Sequence, residues 1–242
     1  QFNKFMSWYY ENEEDIDRFG IVLHAFNIVP SYILYSLSKC RKMTSLTMNC
    51  EYHVDDRDLF YAKKKLGEIR GEITWLTHLR LGYRFNCPPE YLLRDLTELT
   101  HLEFGDYFNQ PLERSLHNLT QLTHLTFGHY FNQPLERSLH NLTQLTHLSF
   151  GSISDSNYFN QPLGDSLTTL TQLTHLTFGP VFNQPLGDSL STLTRLTHLK
   201  FGESFDQPLE RPLCNLKRLT HLAVCPDFDQ PLGNLSRLIA SF

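Results

Sequence analysis

The sequence predicts an α/β solenoid, a parallel β-sheet array of repeats of about 23 residues with short helical or 3₁₀ segments on the opposite face and an N-terminal cap. Three observations carry this. A Phe-Asn-x-Pro or Phe-Asp-x-Pro phrase starts at Phe85, Phe108, Phe131, Phe159, Phe182, Phe205 and Phe228, stepping by 23 residues except once, by 28. Each phrase opens the same apolar frame, typified by Leu112, Leu116, Leu119, Leu122, Leu125 and Phe127. Within that frame the apolar spacing changes from helical to strand-like in every unit.

The N-terminal part, residues 1–61, reads as an arm and capping segment with one degenerate repeat. Trp8, Tyr9 and Tyr10 precede the acidic residues Glu11, Glu13, Glu14, Asp15 and Asp17, the pattern of a solvated arm docked by its aromatics. Phe19 to Leu37 is apolar enough to be weighed as a membrane span. His24, Asn27 and Pro30 interrupt it, and an array needs apolar cover over its first coil, so the cap is the expectation. Leu37, Met43, Leu46 and Met48 fall near the places of Leu119, Leu122, Leu125 and Phe127, which predicts a degenerate strand over Thr44 to Met48. Asn49 to Tyr61, polar and acidic, reads as a loop inserted in that coil.

Residues 62–242 read as the repeat solenoid. Leu66, Ile69, Ile73, Leu76, Leu79 and Leu81 hold the apolar places before the clear repeats begin at Phe85. In each repeat Leu112, Leu116 and Leu119 follow i, i+4, i+7 behind Pro111, with Glu113 in the first turn, which predicts a short helix or 3₁₀ segment. Leu125 and Phe127 alternate with His124 and Thr126, the period-two mark of a half-buried strand. His124 and Thr126 therefore share the outward face. Gly128 follows the strand as a turn residue. Asn86, Asn109, Asn132, Asn160, Asn183, Asp206 and Asp229 sit between an inward Phe and an inward Pro-Leu pair, a place for a ladder of corner hydrogen bonds. The last unit, 228–242, is shortened like a terminal cap.

The phrase FNQPL…SL…LTxLTHLxFG resembles the FNIP repeat, a member of the leucine-rich-repeat (LRR) group known from amoebae and their giant viruses. The resemblance implies an LRR-like solenoid that binds proteins. Relatives with an F-box ahead of the repeats imply a substrate-recognition subunit of a host ubiquitin ligase. Here only Val29, Pro30, Ile33, Leu34 and Leu37 echo such a box. The implied place is the cytoplasm, the host's if the chain is viral; a structural protein of the virion is the alternative.

The candidate surface is the outward face of the sheet. His78, His101, His124, His147, His175, His198 and His221 form one column, on strands about 4.8 Å apart. Imidazoles suit a metal, but a straight column offers pairs rather than a convergent set, so no metal is expected. Seven equivalent copies define no unique pocket, and no nucleophile motif, phosphate loop or carboxylate pair accompanies them, so no enzyme and no cofactor is expected. Charging neighbouring rings should loosen the array in acid.

The adjacent column reads Arg80, Glu103, Thr126, Ser149, Thr177, Lys200, Ala223, and the units from Phe108 and Phe131 differ there while matching almost everywhere else. A constant frame with one varied column suits a protein-binding surface; free drift gives the same pattern. The insertion after Phe150, with Ser152, Ser154, Asp155 and Ser156, is a second candidate contact. Tyr107, Tyr130 and Tyr158 can supply aromatic anchors or pack the corner. A net charge of -5 without a clustered basic face argues against nucleic acid. No membrane and no small-molecule substrate are expected. Five scattered cysteines without a CxxC pair read as thiols rather than a disulfide framework.

Overall fold

The computed structural model describes residues 19–25, 43–50, 74–151 and 158–231, together with Ser7 and Cys40. Nine strands form one parallel sheet in sequence order: β1 (Phe19–Ala25), β2 (Met43–Cys50), β3 (His78–Leu81), β4 (His101–Glu103), β5 (His124–Phe127), β6 (His147–Phe150), β7 (His175–Thr177), β8 (His198–Lys200) and β9 (His221–Ala223). Each strand pairs only with its sequence neighbours, which is a solenoid by topology. The register sets Leu46, Leu79, Leu102, Leu125, Leu148, Leu176, Leu199 and Leu222 in one row. All eight are buried.

The strand expected at Thr44 to Met48 is present and runs two residues into the stretch read as a loop. Phe19 to Ala25, read as an apolar cap, is itself a strand, paired in parallel with β2. Among the described residues no helix is long and apolar enough to cross a membrane. Leu66, Ile69, Ile73, the N-terminal arm, the F-box-like stretch from Val29 to Leu37, the insertion residues Ser152, Ser154, Asp155 and Ser156, and the end from Leu232 lie outside the described residues.

The core is a stack of like on like. Phe104, Phe127, Phe150, Phe178 and Phe201 follow the strands, and Phe108, Phe131, Phe159, Phe182 and Phe205 fill the next corner. Within one coil the two rings meet at 3.8–4.1 Å. Because each coil repeats the last, each ring also stacks on its equivalents, an arrangement a single coil cannot supply.

Three features of the corners come from the coordinates, the first within the expectation of a short helix or 3₁₀ segment and the other two departing from what the sequence predicts. First, among the described residues the segment expected as a short helix or 3₁₀ turn is α-helical only twice, as α1 (Glu90–Leu93) and α2 (Glu210–Leu213). Elsewhere the stretch is a chain of i→i+3 turns, such as Ser115 N–H to the Leu112 carbonyl at 2.7 Å and Leu119 N–H to Leu116 at 3.1 Å. A left-handed residue after the Pro-Leu pair breaks the helix there: Glu113 at φ 42°, Glu136 at 44°, Gly164 at 48° and Gly187 at 49°. Second, Pro111, Pro134, Pro162 and Pro185 face solvent rather than the core, so the buried partner of the corner Phe is the leucine that follows. Third, Gly105, Gly128 and Gly202 are needed for close approach, not for a left-handed turn. A Cβ on Gly128 would lie 2.3 Å from the Gly105 carbonyl oxygen, and on Gly202 2.4 Å from Pro180 Cα.

The asparagine ladder is present, and half-buried. Asn109, Asn132, Asn160, Asn183 and Asp206 each donate their backbone N–H to the side-chain oxygen of the Asn one coil earlier, at 2.9–3.0 Å. The following Gln110, Gln133, Gln161, Gln184 and Gln207 donate their amides to the same oxygens.

Candidate functional site

The register places the seven histidines opposite one another along the sheet, as the sequence predicts, with Ser45 continuing the column on β2. Their rings stack nearly parallel, with centroids 4.1–4.3 Å apart at every step. The strand-end phenylalanines are spaced 5.4–5.6 Å from coil to coil and the corner phenylalanines 5.8–6.2 Å. Shorter steps on one side and longer steps on the other are the mark of curvature, so the histidine face is concave.

A threonine before each histidine fixes the ring, a contribution the sequence reading missed although Leu-Thr-His-Leu recurs in every unit. In each case, Thr77, Thr100, Thr123, Thr146, Thr174, Thr197 and Thr220 donate Oγ1–H to the carbonyl of the equivalent threonine one coil back, at 3.0–3.1 Å. The same Oγ1 lies 2.8–2.9 Å from Nδ1 of the next histidine. A hydroxyl has one proton. With it on the carbonyl, the oxygen accepts from Nδ1–H. The neutral ring is then the Nδ1–H tautomer, and its Nε2 is an acceptor.

Burial holds His101, His147, His175 and His198 below the ordinary imidazole value, with the charge of other ladder histidines adding to it. His124 is pushed down to about 4, by burial first and then by His101 and His147. These five rings, His101, His124, His147, His175 and His198, are therefore neutral at physiological pH, and their Nε2 atoms line up as acceptors. Stacked rings aim their lone pairs in parallel, which does not converge on a metal. Among the described residues no group of three His, Cys, Asp or Glu side chains is placed to hold one.

The varied column runs beside the ladder, as Thr47, Arg80, Glu103, Thr126, Ser149, Thr177, Lys200 and Ala223. Arg80 and Glu103 form an ion pair of 3.1 Å, both well exposed. Ser149 is turned to the Gly151 carbonyl at 3.0 Å. Over β2 to β5 the face dips into a concavity of about 350 Å³ lined by Ser45, Thr47, His78, Arg80, His101, Glu103, His124 and Thr126. Lys200 stands at the other end.

The tyrosines form a separate edge. Tyr83 meets Tyr107 edge-on at 5.0 Å, and Tyr107, Tyr130 and Tyr158 stack at 4.7 and 5.1 Å. Tyr83, Tyr130 and Tyr158 are the exposed large hydrophobics among the described residues. They both pack the corner and face solvent.

No family model matches the sequence, and no curated relative does. Solved structures do. CroV588, a giant-virus protein described as a novel circular LRR protein, aligns with a TM-score of 0.67 and 27% identity over 92% of this chain. The fold is an LRR-type solenoid. Internalin C2 of Listeria monocytogenes aligns with a TM-score of 0.54 and 20% identity, over 88% of this chain and 84% of its own. A chain of the Drosophila Toll–Spatzle complex aligns at 0.61 and 14% identity, over 86% of this chain and 27% of its own. The LRR-type solenoid described here spans 30% of the length of CroV588.

Proposed function

We propose that this solenoid is a non-enzymatic protein-recognition module that binds its partner on the concave histidine face. The observation that carries the reading is the pairing of two columns on one concave surface. One is a constant row of stacked imidazole acceptors, neutral from His101 to His198; the other is a varied row running from Arg80 to Lys200. The constant row offers general affinity for N–H and O–H donors, and the varied row supplies specificity. His78, His101, His124, His147, His175, His198 and His221, with Arg80, Glu103, Thr126, Ser149, Thr177 and Lys200, are the contact residues of this reading.

A permanent structural role would favour a broad apolar patch. The exposed large hydrophobics among the described residues are three tyrosines in one stripe, which favours recognition. The finer form of the reading, a FNIP repeat protein that delivers its partner to a ubiquitin ligase in the cytoplasm of an amoebal host, rests on the likeness of the FNQPL phrase to that family.

Changing Arg80 and Glu103 together to Ala tests it. The ion pair is exposed and contributes at most about 1 kcal/mol, so the fold survives. Affinity capture from amoebal lysate should lose a specific partner in the variant. Identical capture by both proteins contradicts the reading.

A further inference from the structure

Two neighbouring coils share one charge pattern behind the Pro-Leu pair. Glu113 and Arg114 stand there in the first, and Glu136 and Arg137 repeat them in the second. The next two coils have Gly164 and Asp165, then Gly187 and Asp188, at the same places. Stacking coil on coil therefore sets glutamate beside glutamate and arginine beside arginine, with Glu90 extending the glutamate row. Like charges in adjacent coils repel. The chain does not relieve this: among the described residues Glu90, Glu113, Arg114, Glu136 and Arg137 make no ion pair. Asp188 and Arg211, of opposite sign and one coil apart, do pair, at 3.1 Å. Glu113 and Glu136 also hold left-handed angles, φ 42° and 44°, that glycine takes at Gly164 and Gly187. Strain kept in the two coils that carry the pattern points to a use for it.

These five side chains are exposed and line a groove of about 690 Å³. Glu113, Arg114, Glu136 and Arg137 fall between β4 and β6 in the chain, at the middle of the nine strands. They follow the corner phenylalanines Phe108 and Phe131, on the side where the coil spacing is long, 5.8 Å against 4.2 Å along the histidines. Two such convex faces laid together touch first at their middle.

We propose that this groove is the contact surface of a symmetric dimer, in which a second copy of this chain is turned over on a two-fold axis running along the stack. Such an axis keeps each coil opposite its own copy and exchanges the two rows. Glu113 then meets Arg114 of the second copy, Glu136 meets Arg137, and each contact is made twice. Charge complementarity chooses the occupant: a partner of one sign would satisfy one row and repel the other, whereas a second copy answers both at the same coil spacing. Asp165 and Asp188 then face the glycine row rather than each other. Both histidine faces point outward and stay open, so the dimer does not rest on recognition there.

Analytical sedimentation of the full chain at about 100 µM tests this. At about 50 mM salt the parent should run as a dimer, and at about 500 mM its Kd should rise at least tenfold, because exposed pairs are screened. Glu113→Arg with Glu136→Arg makes all four positions positive, and Arg114→Glu with Arg137→Glu makes them all negative. Each variant alone should be monomeric. Mixed in equal amounts the two should pair, which also shows that both fold. A parent that stays monomeric at low salt gives the groove to another protein or a zwitterionic ligand and overturns the proposal. So does a dimer that either variant retains, or a mixture that stays monomeric.

Discussion

The left-handed position after the Pro-Leu pair shows at single-residue scale how the repeat is held. Glycine occupies it at Gly164 and Gly187, but Glu113 and Glu136 adopt the same conformation with a side chain. A left-handed L-residue costs about 1–2 kcal/mol, partly offset by the greater unfolded freedom of glycine. Glu113→Gly and Glu136→Gly should therefore each stabilise the chain by about 1 kcal/mol in denaturant melts. Gly164→Ala should cost about as much, and from backbone strain alone, since nothing lies within 4 Å of its would-be Cβ. The ladder of Asn118 and Asn141, whose amides reach the Arg94 and His117 carbonyls, offers a second case. Those amides start glycosylation triplets, yet they are already committed to the preceding coil. Thr169 takes the equivalent place and leaves its buried hydroxyl without a partner. Thr169→Asn should gain about 1 kcal/mol. Neither effect was legible in the sequence: Glu and Gly, or Asn and Thr, alternate there without any change in apolar spacing, and only backbone angles and bond partners tell them apart.

At the scale of one element, the strand and its flanking threonine act as a unit. Thr123→Val keeps shape but removes both the donor to Thr100 and the partner of His124 Nδ1, and should cost about 1–3 kcal/mol by thermal or chemical melting. Imidazole nitrogen NMR should show the Nδ1–H tautomer for the ladder histidines at neutral pH; Nε2–H signals would remove the acceptor row. The ladder also fixes a pH dependence. The folded-state values of His101, His124, His147, His175 and His198 are depressed, so the unfolded chain takes up protons first as pH falls. The stability it contributes is full above the ordinary imidazole value near 6.5 and drains away toward the value of about 4 held by His124. The Tm should thus fall between about pH 7.5 and about pH 5, and an unchanged Tm would contradict it. Strand positions were legible because alternation of Leu and Phe with polar residues is a period-two signal that survives duplication. Phe19 to Ala25 was not, because it lacks the repeat's flanking phrase and its apolar residues suit a cap equally well.

For the whole molecule, period and phrase were enough to predict stacked coils and a parallel sheet. The curvature needed coordinates, since it lies in the difference between ring spacings on two sides of a coil. The outer face carries a further groove of about 690 Å³, lined by Glu113, Arg114, His117 and their copies Glu136, Arg137 and His140. It gives recognition a second geometric option. Hydroxyl-radical footprinting of the solenoid with its captured partner decides between them. Recognition on the concave face predicts that His101, His124 and His147 lose reactivity in the complex while His117 and His140 keep theirs. The reverse pattern, or protection confined to Tyr83, Tyr130 and Tyr158, would contradict it.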